Sequence, residues 1–173
     1  MSQEASPEVI AAFLNNHFFI PMGEIAYKSN GIVDKHIGDS IMVVFNSQNG
    51  NNNDTTNAVR SALEMQKKAK QINGELQQKN GLKLDIGIGI STGRVFSGIL
   101  GSLRKKEFTS IGMAVNVAAR LENMAGKGEI LISESTFEKL SNPKLPDGIE
   151  AQALPLVTIK GLEGPIIIYK VTG

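Results

Sequence analysis

The sequence contains no cysteine and no tryptophan, and it contains only two histidines. Without cysteine, the chain can form no disulfide, no thiolate metal site and no cysteine nucleophile. His17 and His36 show no HExxH or comparable spacing, so we expect packed or surface residues rather than metal ligands. Thiol chemistry is therefore excluded as the basis of function, and a histidine metal centre is disfavoured.

The chain has neither a strong charge of one sign nor a long apolar run. Its formal net charge is +1, and its strongest basic cluster is Arg104-Lys105-Lys106, which argues against nucleic acid as the main partner. No stretch approaches the ~20 apolar residues of a membrane span, and the opening MSQEASPEV lacks the apolar core of a signal peptide. We therefore expect a cytoplasmic chain without a membrane segment.

Apolar residues make up 41% of the sequence, which is enough for one compact domain over residues 1–173. An amphipathic helix is predicted to begin at Ser6, and Pro21 is expected to kink or interrupt it. A second, long helix is predicted to begin at Asp54 or Thr55. The chain thus offers at least two helices that can cover a sheet.

Strand patterns begin with two segments rich in isoleucine and valine, 32–37 and 40–46, on either side of Gly38-Asp39. A leading glycine suits a two-residue type II′ turn, so a hairpin is predicted. The later segment LKLDIGIGIS alternates apolar residues with small or polar ones, and Gly87 and Gly89 leave room for something to lie close. Helices interleaved with hairpins predict an α+β sandwich with a mostly antiparallel sheet.

The first hairpin places charged residues in an apolar setting. With Asp39 in the turn, Lys35 pairs with Met42. Val33 then pairs with Val44 on the same face. An ammonium among apolar neighbours needs an acceptor, which a ligand can supply, and Asp39 at the tip can bind a hard divalent ion. Two alternatives remain open, because aspartate is common in turns and a lysine can extend its ammonium into water.

A second candidate group lies in a predicted helix over residues 112–123. Asn116 and Arg120 are four positions apart and share a face, so an amide and a guanidinium can point at one ligand. Both are hydrogen-bond donors suited to ribose and phosphate oxygens. Taken alone, the pair is better interpreted as a solvated helix face, where Arg120 complements the helix dipole.

In their order along the chain, these motifs resemble the catalytic domain of class III nucleotide cyclases, the adenylate and guanylate cyclase family. The family's lysine and metal-aspartate hairpin resembles VDKHIGDSIMVVF, and its central strand pair resembles IGIGISTGRVFSGILGS. Its segment with a ribose asparagine and a transition-state arginine resembles FTSIGMAVNVAARLEN. Two later motifs resemble GEILISESTFEKL and VTIKGLEGPIIIYKV. The match runs from about Ser6 to Val171, and five ordered motifs are far more specific than any one.

The resemblance implies a metal site and a pair of residues that recognise adenine. Asp39 is similar to a ligand of two divalent ions, Mg²⁺ or Mn²⁺, that activate the ribose 3′-hydroxyl and hold the triphosphate. Lys35 and Thr109 are similar to the adenine-recognising pair, which implies ATP rather than GTP. The implied enzyme is an adenylate cyclase, a lyase that converts ATP to cyclic AMP and pyrophosphate.

The resemblance also implies phosphate and ribose contacts and an oligomeric state. Asn116 is similar to the residue that orients the ribose, and Arg120 to the donor that stabilises charge on the α-phosphate. Lys160 is similar to a phosphate-binding lysine. The implied assembly is a head-to-tail homodimer of ferredoxin-like subunits, in which Lys35 and Asp39 of one chain serve different nucleotides and need form no ion pair.

The sequence departs from the family pattern in two places. The family's first metal aspartate lies on an opening strand, in a segment resembling F-x-D-I-x-G-F-T, which this chain lacks; we expect an N-terminally shortened fold, from a fragment or a truncated relative. Met113 stands where many members carry aspartate at a helix start, and the difference costs only a few tenths to ~1 kcal/mol of local stability. The alternative function is a degenerate cyclase homology domain that binds nucleotide or dimerises in signalling without turnover.

Overall fold

The computed structural model describes residues 6–46, 53–76, 82–141, 144–158 and 164–173. Within these ranges the elements follow the order α1 Pro7–Phe13, a π-helical segment Leu14–Phe19, α2 Ile20–Lys28, β1 Gly31–Ile37, β2 Ser40–Phe45, α3 Asp54–Leu76, β3 Ile88–Ile90, β4 Phe96–Gly101, β5 Lys106–Ile111, α4 Met113–Met124, β6 Ile130–Ser133, α5 Glu134–Leu140, β7 Glu150–Ala153, β8 Val157–Thr158, β9 Pro165–Ile166 and β10 Ile168–Thr172. No helix among these is long and apolar enough to cross a membrane.

The pairing of the described strands is mostly antiparallel. Three antiparallel pairs, β1–β2, β4–β5 and β8–β9, form two-stranded sheets. A four-stranded sheet has the order β3-β6-β10-β7, in which only the β3–β6 pair is parallel. Together with the interleaved helices, this arrangement confirms the predicted α+β fold.

Helices cover both faces of the four-stranded sheet. Ile130 and Ile132 of β6 pack on one face with Val59 of α3, whereas Leu131 packs on the other face with Leu121 of α4. This division follows from the alternation of side chains along a strand. All five side chains are almost completely buried. Close packing therefore fixes α3 against one face of the sheet and α4 against the other.

The N-terminal α-helix is interrupted just before Pro21, as expected, but by a change of helix type rather than by a break in the helix. Proline has no N–H to donate to the carbonyl four residues earlier, and its ring crowds that carbonyl. The preceding turn widens into the π-helical segment, where the N–H of Ile20 bonds the carbonyl of Asn15. The chain therefore stays helical to Lys28, and Asn30 ends the helical stretch with a left-handed φ of 60°.

The strand expected in LKLDIGIGIS is shorter than its pattern. Only Ile88–Ile90 pairs, because β6 is short and residues 82–87 have no strand partner within the described chain. The side chain of Asn73 on α3 instead satisfies Leu84: Nδ2 donates to the carbonyl at 2.9 Å, and Oδ1 accepts from the N–H at 2.7 Å. A side chain thus replaces one rung of a sheet.

Candidate active site

The turn of the β1–β2 hairpin has the predicted form. Ile37 pairs with Ser40, so Gly38 and Asp39 form a two-residue connection. Gly38 has a φ of 60°, whereas Asp39 does not have a positive φ, which is the pattern of a type II′ turn. The Asp39 side chain is exposed at the tip and forms no hydrogen bond or ion pair with any residue that the structure describes.

A β-bulge changes the register of this hairpin before the turn. Lys35 pairs as predicted, but Val33 pairs with Val43 rather than Val44, because Asp34 is an extra residue on β1. The predicted pairing of Val33 with Val44 is therefore wrong. Strand alternation alone contains no signal for an unpaired residue, and this prediction relied on alternation.

The ammonium of Lys35 is held between two oxygen atoms from different parts of the chain. Its Nζ donates a hydrogen bond to Oγ1 of Thr109, a β5 residue that is only 9% exposed. The same Nζ lies 3.4 Å from Oδ2 of Asp34. The structure thus brings together the two residues predicted to recognise adenine, 74 positions apart. Lys35 pairs with Asp34 and not with Asp39 among the described ion pairs.

Asn116 and Arg120 share an outward side of α4. The opposite side buries Ala114, Val117 and Leu121, whereas Asn116 is exposed and Arg120 is half-buried. Neither polar side chain has a hydrogen-bonding or ionic partner in the described part of the chain; only the backbone N–H of Asn116 has one, the carbonyl of Gly112. Their donors are therefore free for a ligand, an arrangement that agrees both with the role implied by the resemblance and with a solvated helix face.

The start of α4 is determined by Gly112, which follows β5 directly. A Cβ atom at this position would lie 2.8 Å from the carbonyl oxygen of Arg94, closer than real Cβ atoms approach. No side chain caps the helix here, and Met113 at its first position is half-exposed. The donors of this first turn therefore lack a carboxylate partner of the kind that the resemblance led us to expect at position 113.

Lys160, predicted to contact phosphate, lies outside the described residues. Asp34 was missed from the sequence, although its charge, unlike strand alternation alone, carries a signal: two adjacent charged residues in a half-buried strand would face opposite sides, so one of Asp34 and Lys35 has to meet the interior or break the alternation. The bulge is how the chain resolves this conflict.

The donors for a metal ion are sparse in the described chain. No group of three or more His, Cys, Asp or Glu side chains that could hold an ion occurs there. Asp39 provides one exposed carboxylate. Mg²⁺ is commonly bound by one or two carboxylates together with substrate phosphates and water, rather than by a cage of protein ligands. The Asp39 carboxylate therefore fits an ion that binds together with a nucleoside triphosphate.

Comparison with known proteins identifies the family. Residues 1–173 match the model of the adenylate and guanylate cyclase catalytic domain. The chain belongs to this family. An adenylate cyclase of Anabaena cylindrica is 35% identical over 99% of this cyclase domain, and a terminal-differentiation-specific adenylate cyclase of Dictyostelium discoideum is 30% identical over 92% of it. The domain spans 34% and 7% of these relatives' lengths, respectively.

Solved structures agree with this membership. The adenylyl cyclase CyaB from P. aeruginosa superposes with a TM-score of 0.88 at 32% identity, over 99% of this cyclase domain and 86% of that chain. The guanylyl cyclase Cya2 gives a TM-score of 0.86 at 29% identity, over 99% and 84%. The family and fold inferred from the sequence are confirmed, and domains of this family are generally metal-dependent. Both purine specificities share the fold, so the fold alone does not select ATP.

Proposed function

We propose that residues 1–173 act as one catalytic domain that converts ATP to cyclic AMP and pyrophosphate. The ribose 3′-oxygen forms a bond to the α-phosphorus, the bond from that phosphorus to the bridging oxygen breaks, and pyrophosphate leaves while the hydroxyl proton is released. The observation that favours ATP as the substrate is the hydrogen bond from Lys35 to Thr109, and the similarity to adenylate cyclases supports the same substrate. Because ATP is supplied inside cells, the proposed location is the cytoplasm.

Adenine is recognised by the Lys35–Thr109 pair. A lysine ammonium has three N–H donors, of which one serves Thr109 and one faces Asp34. The third can donate to N1 of adenine, and the Thr109 hydroxyl oxygen can accept from the adenine amino group. Guanine presents an N1–H donor where adenine presents an acceptor, so it would oppose the ammonium. This complementarity favours ATP.

The phosphate and ribose end of the substrate is assigned to α4. Asn116 orients the ribose, and the Arg120 guanidinium donates to the α-phosphate oxygens as negative charge develops on them. Lys160 contacts the phosphates. Asp39 holds Mg²⁺ or Mn²⁺ together with the triphosphate, and such an ion, when bound, supplies Lewis-acid activation of the 3′-hydroxyl and charge neutralisation.

The working unit is proposed to be a head-to-tail homodimer. Large apolar side chains stand exposed on the β4–β5 hairpin, and Leu103 at its turn is 98% exposed. The others are Phe96, Ile99, Leu100, Phe108 and Ile111. Apolar groups clustered on one hairpin favour a covering partner. In such a dimer, Lys35 of one subunit and Asp39 of the other serve the same nucleotide.

The first test is incubation of the purified chain with ATP and with GTP, in Mg²⁺ and in Mn²⁺, with both cyclic nucleotides quantified by mass spectrometry. We expect cyclic AMP in excess over cyclic GMP, and no cyclic AMP from an Asp39→Ala variant that folds normally. Cyclic GMP as the main product would overturn the assignment of Lys35 and Thr109.

A second candidate function is a cyclase homology domain that binds nucleotide or dimerises without turnover. The single carboxylate of Asp39 at the hairpin tip, outside any larger acidic group in the described chain, favours it, since two ions are easier to hold with two carboxylates. Binding of a non-cyclisable ATP analogue without any cyclic product from ATP, in either metal, would select this function.

A further inference from the structure

Asp34 carries a carboxylate in an unusual environment. Its side chain is only 1% exposed, and Oδ2 has no hydrogen-bond partner among the described residues. A buried carboxylate is costly unless a cation or hydrogen bonds compensate it. The available cation is the Lys35 ammonium, 3.4 Å away. Such a pair is weak support for stability, so its position beside the adenine-recognising lysine suggests another role.

The bulge on β1 brings Asp34 and Lys35 together. In a regular strand these neighbours would point to opposite faces of the hairpin. The extra residue breaks this alternation, and the carboxylate and the ammonium meet. Bulges commonly redirect side chains beside active sites. The bulge therefore places Lys35 between a carboxylate on its own strand and Thr109 on β5.

A lysine by itself discriminates poorly between adenine and guanine. Its ammonium sits on a flexible four-carbon stem, and it donates in three directions without a preferred plane. Two fixed oxygens remove this freedom, since Asp34 and Thr109 each restrain one side of the Lys35 ammonium. The remaining N–H is then aimed in one direction.

We propose that Asp34 is a positioning residue that fixes the Lys35 ammonium for selection of adenine over guanine. The proposal rests on the proposed role of Lys35 and Thr109 in reading the purine. Asp34 itself touches no substrate and acts through Lys35. A merely structural Asp34 would change ATP and GTP turnover in parallel, whereas a positioning Asp34 changes their ratio.

The contact is tested first, without reference to catalysis. Urea unfolding is measured for the wild type, Asp34→Asn, Lys35→Met and the double variant. We expect Lys35→Met to lower the unfolding midpoint clearly in the wild type, because it leaves a buried carboxylate unpaired, and to have little effect in the Asp34→Asn background. Equal effects in the two backgrounds would show that the side chains do not interact and would overturn the proposal.

Purine selection is tested on the same four proteins through kcat/KM for ATP and for GTP. We expect Asp34→Asn to reduce the ATP:GTP ratio about tenfold, which corresponds to about 1.4 kcal/mol of lost discrimination, and to add nothing in the Lys35→Met background. Asp85→Asn is the control, because Asp85 pairs with Lys127 at 3.1 Å in an exposed setting and should leave the ratio unchanged.

The outcomes separate the two proposals. A wild type that prefers ATP together with an unchanged ratio in Asp34→Asn overturns the positioning role and leaves the proposed function standing. A wild type without any purine preference overturns both. A reduced ratio in Asp34→Asn that persists in the Lys35→Met background overturns action through Lys35. Only a reduced ratio that disappears in that background supports the proposal.

Discussion

A Cβ atom at Gly89 on β3 would collide with the carbonyl oxygen of Ala118 on α4. It would also lie 2.8 Å from the carbonyl carbon of Leu121. The backbone of α4 therefore rests directly on the sheet at this glycine, and a similar approach of Ala125 occurs at Gly87. What lies close to the two glycines is the protein's own helix. The depth of that helix sets where its outward side chains stand.

Substitution of Gly89 by alanine is predicted to displace α4. We expect a loss of about 3 kcal/mol in the free energy of unfolding, because backbone atoms cannot move aside as a flexible side chain can. Turnover should fall further, since a shift of about 1 Å in Asn116 and Arg120 can cost roughly 10²-fold. Gly74→Ala on α3 is the control: nothing lies within 4 Å of its Cβ position, so urea unfolding should show slight stabilisation.

Substitution of Thr109 by valine is predicted to relax purine choice. It removes the hydroxyl that accepts from Lys35 while keeping the branched shape of this buried residue. Loss of a hydrogen bond to a charged group costs about 1.5–3 kcal/mol, so the ATP:GTP ratio of kcat/KM should fall roughly 10- to 100-fold. Ser97→Ala, which removes a hydroxyl bonded to Ser110 on the neighbouring rung at 2.7 Å, should leave the ratio intact.

Substitution of Arg120 by alanine is predicted to impair catalysis without affecting folding. Loss of a preorganised donor to developing charge costs about 10²–10³ in kcat. Stability should change by less than about 0.5 kcal/mol, since Arg120 has no side-chain partner among the described residues. Steady-state kinetics and urea unfolding measure the two effects. The same change at exposed Arg60 on α3 should alter neither, and an equal loss of kcat there would contradict the assignment.

Glu129 is predicted to contribute stability that depends on pH. Lys170 Nζ donates to its Oε1 at 2.6 Å and the Gly126 N–H to its Oε2 at 2.8 Å, and these contacts hold the pKa of Glu129 below its ordinary 4.5. A lowered folded-state pKa means that the contribution is complete above pH 4.5 and is lost as pH falls through the lower value. Solvent screens this half-exposed pair, so the effect is small.

The pH measurement compares urea midpoints of the wild type and Glu129→Gln. We expect the variant to be less stable at about pH 7 and the difference to disappear in acid. Glu138→Gln on the exposed side of α5 should match the wild type throughout. A difference between wild type and Glu129→Gln that grows in acid would contradict the sign of the linkage.

Substitution of Ile99 by aspartate is predicted to produce monomers. Ile99 pairs with Phe108 across the β4–β5 hairpin, and both side chains are exposed. A carboxylate at this position would have to lose water in an apolar contact between copies. Analytical ultracentrifugation should give the mass of a monomer, and the rate of cyclic AMP formation should fall as well. Leu156→Asp, at an exposed residue outside the hairpin, is the control and should remain dimeric.

Complementation tests the composition of the proposed dimer. Lys35→Met is expected to retain only slow ATP turnover and Asp39→Ala none, but a mixture should recover about a quarter of the wild-type rate, because half of the random dimers carry one intact site of two. No recovery after subunit exchange would place both residues in the same subunit's site.

Much of the fold was predictable because local rules determine it. The first helix, the long α3, the turn at Gly38 and the helix bearing Asn116 follow from caps, periodicity and turn chemistry. Strands β5 and β7 were missed, since the charged start of Lys106–Ile111 and the short polar Glu150–Ala153 lack a strong strand pattern. The choice of family also came from the sequence, through motifs whose order is preserved.

Sequence patterns were therefore sufficient for the family, for most of the elements that bear the candidate residues, and for the choice of Lys35, Thr109, Asn116 and Arg120 as candidates. The contacts between these residues depend on the three-dimensional packing of the chain. The Lys35–Thr109 hydrogen bond joins residues 74 positions apart, and the bulge at Asp34 depends on how two strands align. Alternation and capping act over a few residues, whereas such contacts depend on the packing of the whole chain, which no short pattern contains.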